Sequence, residues 1–129
     1  MWKKIWLLAL ATLIVVSLMG FAACGESDSA LIKDTVVGFV TAYNDENFAH
    51  CLDFYSQQLR NQEGDSMLLS NLRAARILTG VTTIKGTSEP TITGSTATIS
   101  LTLVTTNLGE RSNQYYLVKE GDNWRIDRQ

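Results

Sequence analysis

The sequence holds one histidine, one proline and two cysteines in 129 residues. There is no H-x-E, no C-x-x-C and no cluster of His, Asp or Glu at ligand spacing, so a metal site has no ligand set to build on. A G-x-S-x-G elbow, a Walker loop and a Rossmann glycine pattern are also missing, and neither an activated serine nor a phosphate-bearing cofactor is expected. No Lys/Arg cluster or basic-aromatic stripe occurs, which argues against a nucleic-acid partner. No internal repeat is visible, and low complexity is confined to residues 25–29, small and polar, which read as a short tether.

What the chain does have begins at residue 1. Lys3 and Lys4 form a basic head, residues 5–19 are an almost unbroken apolar run, and Phe21-Ala22-Ala23-Cys24 follows. A basic head, an apolar stretch and small residues before a cut is the layout of a secretory signal. With cysteine directly after the small residues, the segment resembles a bacterial lipoprotein signal with its lipobox, in which Phe21 stands where leucine is usual. That resemblance implies cleavage of residues 1–23, a lipid on the Cys24 thiol, and a domain moored to the cell membrane on its extracytoplasmic side. The alternative is an uncleaved anchor: residues 5–23 at about 1.5 Å each would just cross a bilayer core of about 30 Å. Either outcome puts the remainder outside, because the basic residues precede the apolar run.

Of eleven basic residues two lie in the leader, leaving nine against thirteen acidic, a net charge of about −4. Residues 24–129 suit one small domain with a single core. If Cys24 carries lipid it cannot pair, and Cys51 is a lone thiol. Cys51 shares a helical face with Phe48, Leu52 and Tyr55, so a buried structural role is expected.

Ser27, Asp28 or Ser29 can cap a first helix, whose apolar side carries Leu31, Ile32, Thr35, Val36, Phe39, Ala42 and Tyr43. Asn44-Asp45-Glu46-Asn47 is a polar turn, and a second short helix should turn Phe48, Cys51, Leu52 and Tyr55 inward. Residues 61–65 read as a loop bent at Gly64, before a third helix through Leu68, Leu69, Leu72 and Ala75 that stops at Gly80. After Gly80 the apolar period drops to two, and Ala97, Ile99, Leu101 and Leu103 alternate with Thr96, Thr98, Ser100 and Thr102. Four antiparallel strands are expected, at about 81–93, 95–106, 111–119 and 123–128, with Pro90 at an edge or bulge. Helices followed by strands give an α+β layer fold.

Phe39-Val40-Thr41-Ala42-Tyr43, the turn at residues 44–47, Phe48 opening the next helix, and the closing Gly121-Asp122-Asn123-Trp124-Arg125-Ile126 together resemble the NTF2-like (cystatin-like, SnoaL-like) superfamily, near its DUF4878-type lipoproteins. Three domain assignments follow: 1–23 signal peptide, 24–29 lipidated cysteine and tether, 30–129 NTF2-like domain. The resemblance implies a cone, in which about three N-terminal helices pack on a curved four-stranded antiparallel sheet and a cavity can open at one end.

Polar groups that could enter such a pocket are Tyr43, Tyr55, His50, Asp53, Tyr115 and Tyr116, with Trp124 filling the closing hairpin. His50 and Asp53 are three apart and can touch, yet they lie opposite Phe48 and Leu52 on the wheel, as a solvated pair would. No catalytic residue is assigned. The expected role is non-catalytic binding of a small apolar ligand or of an envelope protein. The alternatives are a lyase or isomerase with a cone pocket, and a homodimeric assembly lipoprotein pairing through its sheet.

Overall fold

The computed structural model describes residues 27–129; the leader, the lipobox and Cys24 lie outside the described residues. Helix α1 (Asp28–Asn44) starts where the Ser27 hydroxyl accepts the Ala30 N–H at 3.3 Å, and it buries Ile32, Thr35, Val36, Phe39, Val40, Ala42 and Tyr43. Six of the seven expected positions are thus buried; Leu31 is half-buried, and Val40 joins the buried face. The helix lies against the sheet, and the Thr35 hydroxyl contacts the Trp124 carbonyl oxygen at 3.2 Å.

Helix α2 (Phe48–Cys51), capped by the Asn47 side chain, runs into a 3₁₀ turn at Leu52–Phe54. Tyr55 then leaves in extended geometry and bridges Ile126 in parallel, while the Ser56 N–H donates to the Ile126 carbonyl at 2.8 Å. Ser56 caps a helix that the sequence pattern missed, α3 (Gln57–Glu63), which occupies part of the expected loop at 61–65. It buries no residue, so no apolar period marks it. Gly64, at φ +82°, makes the bend into α4 (Asp65–Thr79), and Arg60 grips Asp65 across it with contacts of 3.0 and 2.8 Å. Among the described residues there are thus four helices rather than three.

The strands are β1 (Thr82–Thr87), β2 (Thr91–Thr93), β3 (Thr96–Thr105), β4 (Gly109–Glu120) and β5 (Asn123–Arg128). The expected strand at 81–93 is two strands, both antiparallel to β3, and the sheet order is β1-β3-β4-β5 with β2 beside β1 on the same edge of β3. The break falls at Ser88-Glu89-Pro90, where proline has no N–H for a ladder. Ser88 spans the gap, donating its N–H to Ser100 O at 2.9 Å and accepting the Ser100 N–H on its hydroxyl at 3.0 Å. Register shifts at Ile84/Gly86 and Tyr116/Leu117 add the bends of β-bulges.

Ala97, Ile99, Leu101, Leu103, Tyr115, Leu117, Trp124 and Ile126 face the helices and form one core with Ile32, Val36, Phe39, Cys51, Leu68 and Leu72. Thr96, Thr98, Ser100 and Tyr116 stand on the other face. Among the described residues no helix is long and apolar enough to cross a membrane.

Candidate binding site

At one end the helices and the inner sheet face do not close on each other. Asn44, the last residue of α1, holds the start of β1 with both halves of its amide: it donates to Thr82 O at 2.7 Å and accepts the Thr82 N–H at 2.8 Å. The hydroxyls of Tyr43 and Thr79 share a hydrogen bond of 2.7 Å, which ties the end of α1 to the end of α4. Beneath these clamps lies a cavity of about 160 Å³ walled by Phe39, Val40, Tyr43, Thr79, Asn113 and Tyr115. A second, of about 360 Å³, lies between Tyr55, Leu59, Leu68, Asn71 and Arg128. Leu72, Ala75 and Gln129 line both, so the two cavities are separated by only a few side chains.

The polar groups on these walls are mostly hydroxyls and amides. Burial pushes the Tyr115 phenol up to about 12. Burial also raises Tyr55 strongly, reinforced by the neighbouring Cys51 and Tyr115. Tyr43 is raised by burial, partly offset by its bond to Thr79. These phenols are hydrogen-bonding groups at physiological pH and not bases. Glu63, exposed at the rim of the larger cavity, is the one carboxylate on the two walls. Cys51 is fully buried and its thiol is pushed up to about 11 by that burial, which leaves it protonated and unreactive. Among the described residues no three of His, Cys, Asp and Glu converge closely enough to hold a metal ion.

Of the residues singled out from sequence, Tyr43, Tyr55 and Tyr115 stand at this open end. The other four are elsewhere. His50 and Asp53 contact each other at 3.1 Å with side chains 52% and 65% exposed, and the His50 ring meets only the edge of Phe54, its centroid 5.0 Å away. Tyr116 lies on the outer sheet face under Arg128, whose guanidinium is 4.1 Å from the ring centroid. Trp124 is 1% exposed in the core and donates its indole N–H to Asp28 at 3.0 Å. Asn113, Thr79 and Gln129 complete the walls, and nothing in the sequence pattern singled them out. Strand parity puts Tyr115 and Tyr116 on opposite faces, and the register with β3 decides that Tyr115 is the inner one.

No family model and no curated protein matches the chain. Solved structures do. A Mycobacterium tuberculosis protein of unknown function aligns with TM-score 0.56 at 16% identity, over 75% of this chain and 66% of that one, just under two thirds of its length. An uncharacterised cystatin-fold protein of Novosphingobium aromaticivorans gives 0.52 at 14% identity, over 80% of this chain and 97% of that one. An NTF2-like protein of Campylobacter jejuni, with a provisional transpeptidase name, gives 0.50 at 17% identity over 75% and 97%. The fold is NTF2-like. Identities this low speak for the backbone alone.

Proposed function

We propose that the chain is a lipid-anchored extracytoplasmic lipoprotein, of DUF4878 type, whose cone mouth binds a small, largely apolar ligand without transforming it. The observation that carries the binding role is the pair of adjoining cavities. The larger already lies in the range of small-molecule sites, about 300–1,000 Å³. Their apolar walls come from Phe39, Val40, Leu68 and Leu72. The tyrosine hydroxyls and the Asn113 and Gln129 amides supply a few polar contacts to orient a ligand. A general base must reach the proton it removes, and the His50–Asp53 pair lines neither cavity.

The mooring rests on the lipobox. Cys24 precedes Asp28 by four residues, a span of at most about 14 Å. The start of α1 is thereby held close to the bilayer. The gathering of Tyr43, Thr79 and Thr82 lies at the other end of that 17-residue helix, about 25 Å along its axis. A cone held this way opens toward the aqueous envelope, and its ligand comes from there or from a partner protein.

Two measurements test the reading. Mass spectrometry of the native chain should find a diacylglyceryl-type mass on Cys24 and no leader; an unmodified thiol with the leader attached overturns the anchor. Nile red titrated into the detergent-solubilised full chain should bind saturably. Leu72→Trp, which fills the wall common to both cavities, should weaken that binding at least tenfold with circular dichroism unchanged. Equal binding by this variant overturns the site. A dry homodimer through the sheet is less well supported, because the outer face is lined by threonines and arginine and lacks an apolar centre.

A further inference from the structure

The outer face of the sheet carries a further cleft, of about 330 Å³, which shares only Arg128 with the cone cavities. Its floor is a straight row of directly opposed residues across four strands: Thr91 faces Thr98, Thr98 faces Tyr116, and Tyr116 faces Arg128. A parallel row follows one pleat on, Thr93 facing Thr96, Thr96 facing Val118, and Val118 facing Arg125. At about 4.8 Å between strands, each row is about 14 Å long. Threonine hydroxyls thus occupy one end of the cleft and Arg128 the other.

The arginine end is prepared for a ligand. The Arg128 guanidinium carbon lies over the Tyr116 ring, 4.1 Å from its centroid, a cation–π contact that holds the side chain at the cleft. The Tyr116 hydroxyl is itself held by donation to the Gln114 amide oxygen at 3.1 Å. Among the described residues Arg128 forms no ion pair. Asp127 closes the same end, with one carboxylate oxygen accepting the Ser56 hydroxyl at 2.6 Å. A small inorganic anion would meet that carboxylate without a compensating contact. A larger molecule can place a planar acid on Arg128, donate hydroxyls to Asp127, and exchange hydrogen bonds with the Thr91, Thr93, Thr96 and Thr98 hydroxyls.

We propose that this outer cleft is a binding site for a carboxylated saccharide. A planar carboxylate matches the guanidinium edge in bidentate geometry, and a polyol of one or two rings matches a hydroxyl-lined trough about 14 Å long. The chemistry is shared by uronic-acid polysaccharides and by the lactyl-ether sugars of cell-wall glycan.

Calorimetry on the detergent-solubilised full chain, with oligogalacturonate in one arm and a muramic-acid disaccharide in the other, tests this and separates the two sources. Saturable binding of either, at least tenfold tighter than of a neutral disaccharide such as maltose, is the expected result. Thr98→Val, which keeps shape and strand preference, should weaken it about tenfold, and Arg128→Gln should abolish the preference for the acid. Because Arg128 also touches the cone, Leu72→Trp is the control: it should leave saccharide binding unchanged while removing Nile red. No saturation in either arm, equal affinity for maltose, or indifference to Thr98→Val overturns the proposal and leaves the cone reading intact.

Discussion

At the open end the Asn44 amide ties α1 to β1, beside the Tyr43–Thr79 bond, and removing it should be felt by the whole domain. Asn44→Ala leaves the Thr82 N–H and carbonyl without the partners they have at 2.8 and 2.7 Å. Thr82 is only 6% exposed, so water replaces those partners poorly. A buried polar group left unpaired costs about 1–3 kcal/mol. Asn44 itself is half-buried, which lets some water follow, and the low end applies to each group, about 2–3 kcal/mol for the two together. For a domain of this size each kcal/mol moves the midpoint by about 4–8 °C, so the melting temperature should fall by about 10–20 °C. Asn44→Asp is the sharper variant. It keeps the acceptor for the Thr82 N–H but points a carboxylate at a carbonyl oxygen, so it should be at least as destabilised at neutral pH. The facing carbonyl raises the pKa of the new carboxylate in the folded state. The variant should therefore regain stability as pH falls through the carboxylate range, where the protonated acid can donate. Thermal unfolding followed by near-ultraviolet circular dichroism reads both effects. A midpoint for Asn44→Ala within about 2 °C of the parent would refute the claim that this clamp closes the domain.

Other consequences are checked more briefly. Tyr115 titrates near 12, and Tyr43 and Tyr55 are also raised, so the unfolded chain releases phenolic protons first as pH climbs from about 10. Stability should be level below that point and fall from about pH 10 to 12 and beyond, with tyrosinate absorbance developing alongside unfolding; complete tyrosine titration with native circular dichroism retained would contradict it. Cys51, buried and pushed up to about 11, should resist dithionitrobenzoate in the native state and react fully in guanidinium, whereas rapid native reaction would place it at the surface. Trp124→Ala removes the largest fully buried side chain and the indole bond to Asp28, and should cost about 3–5 kcal/mol in urea denaturation, a loss that a surface tryptophan would not show.

How much of this was readable in advance depends on whether a residue's role is written locally. The α1 stripe, the β3 alternation and the β4–β5 hairpin follow from periodicities of 3.6 and 2 and from turns such as Gly121-Asp122, and they stand where the pattern puts them. Helix α3 was illegible because its existence depends on the Ser56 cap and on a bend at Gly64, with no buried residue to set a period. The split of the first strand was half legible. Pro90 marked an interruption, but the break is set by the Ser88 hydroxyl standing in for a backbone acceptor of Ser100, a tertiary fact.

The same distinction governs the sites. Tyr43 and Tyr55 could be chosen from their apolar helical faces. Tyr115 and Tyr116 could not be told apart until the register with β3 was known: Tyr115 opposes Ile99 on the core side, and Tyr116 opposes Thr98 on the outer side. One residue of slip would exchange them and carry the aromatic ring from the outer cleft into the cone. The two neighbouring phenols therefore serve different clefts, one as a buried hydroxyl on the cone wall and the other as the bed for Arg128. A Tyr115→Phe change should touch only Nile red binding, whereas Tyr116→Leu should weaken saccharide binding far more than Nile red binding, because the Arg128 it releases also lines the larger cone cavity. If Tyr115→Phe moved saccharide binding, or Tyr116→Leu weakened both equally, the two faces of the sheet would not be the separate surfaces that the register makes them.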